Sequence, residues 1–225
     1  MAVVCSGTRA SDSIALTFDD GPLPPYTEQL LDAFDEYEAR ATFFVRGSAV
    51  TAETSPLVLR ARDAGHEIGN HTHNHLSLPD APREKVEAEI AATHGLLVEL
   101  LASTPRLIRP PYGRGTGVVD ELASALGYRA TILWSVSPSD WDTPPPAAIV
   151  ERVLAGENRD VRRACGCAER SPLSGAIVLL HDGCPRTGQG ESRAGTVTAV
   201  RELVPSLQSL GLRLVTVSEL LDEGA

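Results

Sequence analysis

The sequence predicts an α/β fold, a parallel sheet or a βα barrel, from three observations. Short apolar runs alternate with longer segments of helical period. The short runs are continuous rather than alternating, which suits strands covered on both faces. Chemically capable residues fall just after these runs in several consecutive units, where α/β folds place their sites.

The elements follow in order. Residues 13–18 read as a buried strand with Ile14, Leu16 and Phe18 on one face. Residues 41–45, 67–70, 107–109, 129–134, 176–180 and 213–217 complete a set of about seven strands. Residues 83–101 read as a helix, with Val86, Ile90, Leu97 and Leu101 recurring at helical intervals. Residues 194–210 read as another, with the stripe Val197, Val200, Val204, Leu207 and Leu210. Gly47, Gly65, Gly127 and Gly211 stand near the helix–strand junctions, where helix-ending glycines belong.

The chain has 225 residues, 42% hydrophobic and 22% charged, the composition of a folded globular protein. Its length favours one large domain. A formal net charge of -10 disfavours a general nucleic-acid or anionic-membrane binder, because both need a basic face. No apolar run approaches a membrane span. Residues 1–9 lack a basic segment followed by an apolar one, so no signal peptide is expected and the location reads as cytoplasmic, with a trimmed secreted form as the alternative. Four cysteines are too few for a disulfide-built scaffold. Cys165 and Cys167 form a C-x-C pair; thiols, one or two disulfides, or a second metal site with Cys184 are the readings open to it.

Five constellations carry chemistry. In Thr17-Phe18-Asp19-Asp20-Gly21-Pro22 two carboxylates end a buried strand, so one can bind a cation while the other takes a proton. In His71-Thr72-His73-Asn74-His75, His71 and His75 at i,i+4 share one face of a helical turn, with His73 pointing elsewhere. Two imidazoles and the Asp20 carboxylate would make a three-ligand site with an open position, which is catalytic rather than structural. Arg109-Pro110-Pro111-Tyr112-Gly113 is a rigid turn able to hold a backbone N–H at a developing oxyanion, and Arg109 can keep a carboxylate ionised. Both tryptophans lie in the run from Trp134 to Trp141. His181, at the end of an apolar strand and followed by Asp182, is a general-acid candidate.

Taken together and in this order, these segments resemble the NodB-type polysaccharide deacetylases, the fourth carbohydrate esterase family. The pattern TFDD, H-[ST]-x-x-H, R-x-P-Y/F-G, D-x-x-D-W and L-x-H appears at 17–20, 71–75, 109–113, 137–141 and 179–181. The resemblance implies a distorted (β/α)7-type barrel forming one deacetylase domain over 1–225, with its core at 13–221. It implies one divalent metal ion, zinc foremost with cobalt, nickel or manganese as alternatives, held by Asp20, His71 and His75. It further implies Asp19 as catalytic base, Arg109 as the residue positioning it, and Asp140 as the partner of that arginine. His181 matches the general acid, and the N–H of Tyr112, beside Pro111, matches the oxyanion donor. Trp141 and Leu179 match walls of the acyl pocket. Two departures stand out: Ser137 occupies the place of the first aspartate of D-x-x-D-W, and residues 157–172, with four arginines and the C-x-C pair, read as an insertion.

The expected reaction is removal of an acetyl group from an N-acetylated saccharide or glycosylated small molecule. Alternatives are an O-acetyl esterase, a metal-free cyclic-amide hydrolase of the same fold, or an inactive carbohydrate-binding module. Only ten residues are aromatic, and most are spent in motifs or core elements, so a short soluble substrate is expected rather than a long polymer.

Overall fold

The computed structural model describes residues 1–160, 171–184 and 192–224. Among them the strands are β1 Ala2–Val4, β2 Ser13–Asp19, β3 Thr42–Val45, β4 Glu67–Asn70, β5 Leu107–Ile108, β6 Ala130–Ile132, β7 Ile177–His181 and β8 Arg213–Leu214. The helices are α1 Tyr26–Glu36, α2 Ser55–Asp63, α3 Arg83–Leu101, α4 Gly117–Ala125, α5 Pro146–Leu154, α6 Ala194–Ser209 and α7 Val217–Asp222. The sheet runs β1-β6-β5-β4-β3-β2-β7, with β8 beside the start of β2. These pairings are parallel. Beyond β6 the chain bends so that Val136 bridges Val178 of β7, which joins the two sides of the order and curls the sheet into a barrel-like layer.

Strand periodicity assigns the two faces. Ile14, Leu16 and Phe18 of β2 pack outward with Leu30, Leu31 and Phe34 of α1 and Val200, Leu203 and Leu207 of α6. Ala15 joins the other cluster with Phe44, Leu107, Ile132 and Leu179. All seven residues of β2 are buried, so its C-terminal end delivers Asp19 and Asp20 from the most enclosed strand of the sheet. No helix among the described residues is long and apolar enough to cross a membrane.

Several boundaries differ from expectation. The strand at Ala2–Val4 was not anticipated; it pairs with Ala130–Ile132, far away in sequence, and three residues carry no readable period. The strand expected over 129–134 is confined to Ala130–Ile132 because the chain turns toward β7. The one expected over 213–217 stops at Leu214, because Thr216 caps α7 in a reciprocal bond pattern with Glu219. Leu210 lies beyond α6 and is exposed. Gly65, Gly127 and Gly211 take positive φ as helix-ending residues, whereas Gly47 is small for another reason: a Cβ there would meet Thr93 Oγ1 at 2.3 Å and His73 Nδ1 at 2.5 Å. Cys5 is disulfide-bonded, and Cys165 and Cys167 lie outside the described residues, as does 161–170 of the expected insertion.

A core histidine makes stability depend on pH. His66 is buried edge-on against Phe34 and Phe43, and its Nδ1 accepts the Ala41 N–H at 3.0 Å. Nε2 therefore carries the proton, and burial pushes the ring down to about 4. Both states are neutral at pH 7; below about 6.5 the unfolded chain gains a proton that the folded ring refuses. Stability should fall by roughly 3 kcal/mol as pH drops from about 6.5 to 4. Urea unfolding at pH 7 and about pH 4.5 should show a larger loss for the wild type than for His66→Gln; equal losses would acquit His66.

Candidate active site

The site lies at the C-terminal ends of β2, β4, β5 and β7. β2 ends at Asp19, and Asp20 turns to φ 77, which breaks strand alternation and lets adjacent carboxylates converge. The turn is locked from β7. Asp182 accepts the Gly21 N–H at 3.0 Å and the Thr27 hydroxyl at 2.6 Å. A Cβ on Gly21 would sit 1.9 Å from Asp182 Oδ2, and one on Gly183 would sit 2.3 Å from the Asp20 carbonyl carbon, so only glycines let the two strand ends press together. Burial pushes the Asp182 carboxyl up to about 7.

His71 and His75 do meet, but not on a helical turn. The segment after β4 is irregular, with Thr72 at φ 63 and His75 at φ 58. The ring centroids lie 5.1 Å apart. His71 Nε2 stands 3.6 Å and His75 Nε2 3.3 Å from Asp20 Oδ1. His71 Nδ1 donates to the Arg109 carbonyl at 2.7 Å, so its Nε2 lone pair faces the carboxylates. Burial lowers both imidazoles, His75 to about 4, and keeps them neutral. Burial pushes the Asp20 carboxyl up, against the pull of His71 and His181. Asp20 Oδ1 is buried without a hydrogen-bond partner among the described residues. An orphaned carboxylate oxygen facing two neutral imidazole lone pairs, all within 4.8 Å, fits a divalent cation.

Sequence reasoning missed what holds this loop. Glu89 of α3 is buried and accepts the N–H of His73 at 3.1 Å, that of Asn74 at 2.6 Å and the Asn74 side-chain amide at 2.8 Å. Asn70 accepts the Thr72 N–H at 2.7 Å and donates to the Ile90 carbonyl and Tyr128 hydroxyl. The signal was present: Glu89 sits inside the buried stripe of α3, between Val86 and Ile90. Glu89→Ala should weaken cobalt or zinc binding by about 10- to 100-fold, read by competition with a coloured chelator. Affinity equal to wild type would show that the loop holds without it.

Arg109 is fully buried inside the curled sheet. It donates to Asp19 Oδ1 and Thr17 Oγ1 at 2.8 Å each, and to the carbonyls of Ile132 and Leu133 at 3.2 and 3.0 Å. Its guanidinium lies 4.1 Å over the Phe44 ring. Burial pushes Asp19 up, but Arg109, His71 and His181 outweigh it and hold the carboxyl below its ordinary value.

Asp140 corrects the expectation placed on it. It partners His181 rather than Arg109: Asp140 Oδ1 lies 2.8 Å from His181 Nδ1, and Oδ2 accepts the His181 N–H and the Thr196 hydroxyl at 2.9 Å each. Burial lowers His181, but Asp140 dominates the raising contributions, and the ring reaches about 9. Tyr112, at φ 59 after two prolines, lays its ring edge-on to His75 at 4.6 Å. A cavity of about 360 Å³ joins Asp19, Asp20, the three imidazoles of His71, His75 and His181, and Tyr112, and is lined also by Leu179, Trp134, Trp141, Asp142, Asp160 and Arg193.

A curled parallel sheet whose strand ends join a triad that fits a cation to an ionised carboxylate and a carboxylate-backed histidine places the chain among the α/β hydrolytic enzymes. The chain belongs to the polysaccharide deacetylase family, whose sequence model matches residues 6–131. It is 41% identical to a peptidoglycan-N-acetylglucosamine deacetylase of Bacillus cereus over 92% of this chain and 87% of that one. It is 37% identical to a chitooligosaccharide deacetylase of Sinorhizobium fredii over 92% and 90%. The crystal structure of a peptidoglycan N-acetylglucosamine deacetylase superposes with a TM-score of 0.84 at 28% identity, covering 98% of this chain and 93% of that one. A family 4 carbohydrate esterase from Streptomyces lividans, in complex with acetate, gives 0.72 at 28% identity, covering 93% and 92%.

Proposed function

We propose that the protein hydrolyses the acetamido group of an N-acetylated sugar, releasing acetate. The observation that carries this reading is the pairing of a base held ionised with an acid held protonated across one cavity that also contains the cation triad. Asp20, His71 and His75 would hold a divalent ion, zinc foremost, with cobalt, nickel or manganese as alternatives. Such an ion, when bound, polarises the amide carbonyl and acidifies water.

The chain's own residues do the rest. Asp19, fixed by Arg109, takes the proton of the attacking water. The rigid turn through Pro111 fixes the Tyr112 N–H as the oxyanion donor. His181 Nδ1 is engaged by Asp140, leaving Nε2 to protonate the departing amine. An amine needs that proton more than an alcohol does, which favours N- over O-deacetylation. Leu179 and Trp141 wall the acyl pocket. Among the described residues only Tyr112 and Trp141 are exposed aromatics, and both stand at the cavity; two platforms suit a short saccharide. We place residues 1–225 in one catalytic domain.

The test is acetate release from N-acetyl sugars, O-acetyl sugars and small amides, with chelator and with metal restored. N-acetyl oligosaccharides should be the best substrates, with activity lost to chelator and regained with zinc or cobalt. Turnover indifferent to chelation would favour the metal-free alternative.

A further inference from the structure

Asp160 is a polar part of the cavity wall that neither the cation triad nor the acid–base pair uses, and Ser137 is bonded to it. Ser137 is fully buried, and its hydroxyl donates to Asp160 Oδ2 at 2.6 Å. The backbone fixes this pair from both sides. Ser137 and Asn158 form a parallel bridge, the Ser137 N–H donates to the Glu157 carbonyl at 2.9 Å, and the Arg159 N–H donates to the Ser137 carbonyl at 3.0 Å. The Asp160 N–H is taken by Asn158 Oδ1 at 3.1 Å. A half-buried carboxylate is thus held by one oxygen on a rigid edge, in the cavity that holds Asp19, Asp20 and His181. Ser137 stands where the family pattern has an aspartate; here a carboxylate is supplied from the start of the insertion instead.

We propose that Asp160, oriented by Ser137, is a specificity-determining residue that accepts a hydrogen bond from a hydroxyl of a neutral N-acetylhexosamine. Ionised carboxylates accept and cannot donate, so their complement on a sugar is a donor, and beyond its single acetamido N–H a neutral hexosamine offers hydroxyls. Among the described residues four carboxylates and one guanidinium line the cavity, which disfavours a sugar bearing its own carboxylate at this edge.

This inference rests on the deacetylase reading, and one experiment separates the two. Steady-state kinetics of wild type, Asp160→Ala, Asp160→Asn and Ser137→Ala are compared on an N-acetylglucosamine tetramer and on 4-nitrophenyl acetate, which has no sugar hydroxyls. Asp160→Ala should raise KM for the tetramer by about tenfold, with the loss in KM rather than kcat. Its loss on the ester should be at least about fivefold smaller, and Asp160→Asn and Ser137→Ala should fall between it and wild type. A wild-type KM for the tetramer in Asp160→Ala, or equal losses on both substrates, overturns the role of Asp160 and leaves the deacetylase reading standing. A wild-type protein that releases acetate from the ester but from no N-acetyl sugar overturns both.

Discussion

Asp19→Asn is expected to lower kcat/KM for an N-acetyl sugar by about a thousandfold, the scale of a lost general base. An amide cannot take the proton of water, while its oxygen still accepts from Arg109. The protein should therefore fold, because Arg109 keeps its bonds to Thr17 and to the carbonyls of Ile132 and Leu133. It should also be less stable by about 3 kcal/mol, since a buried guanidinium loses its counter-charge. Metal content should hold, because Asp20, His71 and His75 are untouched. The wild-type acidic limb should lie below the ordinary carboxylate value of about 4, since the folded carboxyl is depressed. For the same reason Asp19 stabilises the fold above that value, and the contribution is lost as pH falls through the folded one. Turnover by Asp19→Asn near the wild-type rate would remove Asp19 from the base role; loss of bound metal with activity would make it a ligand instead.

The division of labour between Asp19 and Asp20 shows what the sequence carried. Where each strand ends is set by local residue types, so the strand-end placement of Asp19, Asp20, Arg109 and His181 was readable from apolar runs and the turns after them. The helix Arg83–Leu101 was readable to its ends for the same reason. What was not readable is set by partners far away in sequence. His71 and His75 face Asp20 together because Thr72 and His75 adopt left-handed backbone, and that conformation is held by Glu89 and Asn70. The i,i+4 spacing pointed to two rings that do meet, but through the wrong local structure. Asp160 reaches the cavity only because residues after α5 bridge Ser137, which no local pattern announces. The capping box of Thr216 and Glu219 carries a local T-x-x-E signature that the expected strand over 213–217 overlooked, and it marks why the last strand is short.

The partner of Asp140 is decided by the direction in which a pH profile moves. Backing Arg109 would tie Asp140 to the base, and its loss would move the acidic limb. The geometry ties it to the acid, since both its oxygens serve His181 and neither serves Arg109. Removing its charge takes away the largest raising contribution to a ring that burial alone would lower. Asp140→Asn should therefore move the alkaline limb of kcat/KM to lower pH by roughly one to two units and leave the acidic limb in place. At neutral pH the rate should fall by up to about tenfold, because a smaller share of His181 carries its proton and the imidazolium loses its counter-charge, while the amide can still bond Nδ1. A bound divalent ion beside Asp20 adds positive charge near His181 and sets the wild-type alkaline limb below the ring's value of about 9, in the mutant as in the wild type. The shift between the two profiles is thus the quantity to read, not either limb alone. Thr196→Val, which removes one donor to Asp140 but leaves its charge, should move the same limb the opposite way and by less, because an Asp140 with fewer competing donors attracts the His181 proton more strongly. An acidic limb that moves in Asp140→Asn while the alkaline limb stays would return Asp140 to the arginine.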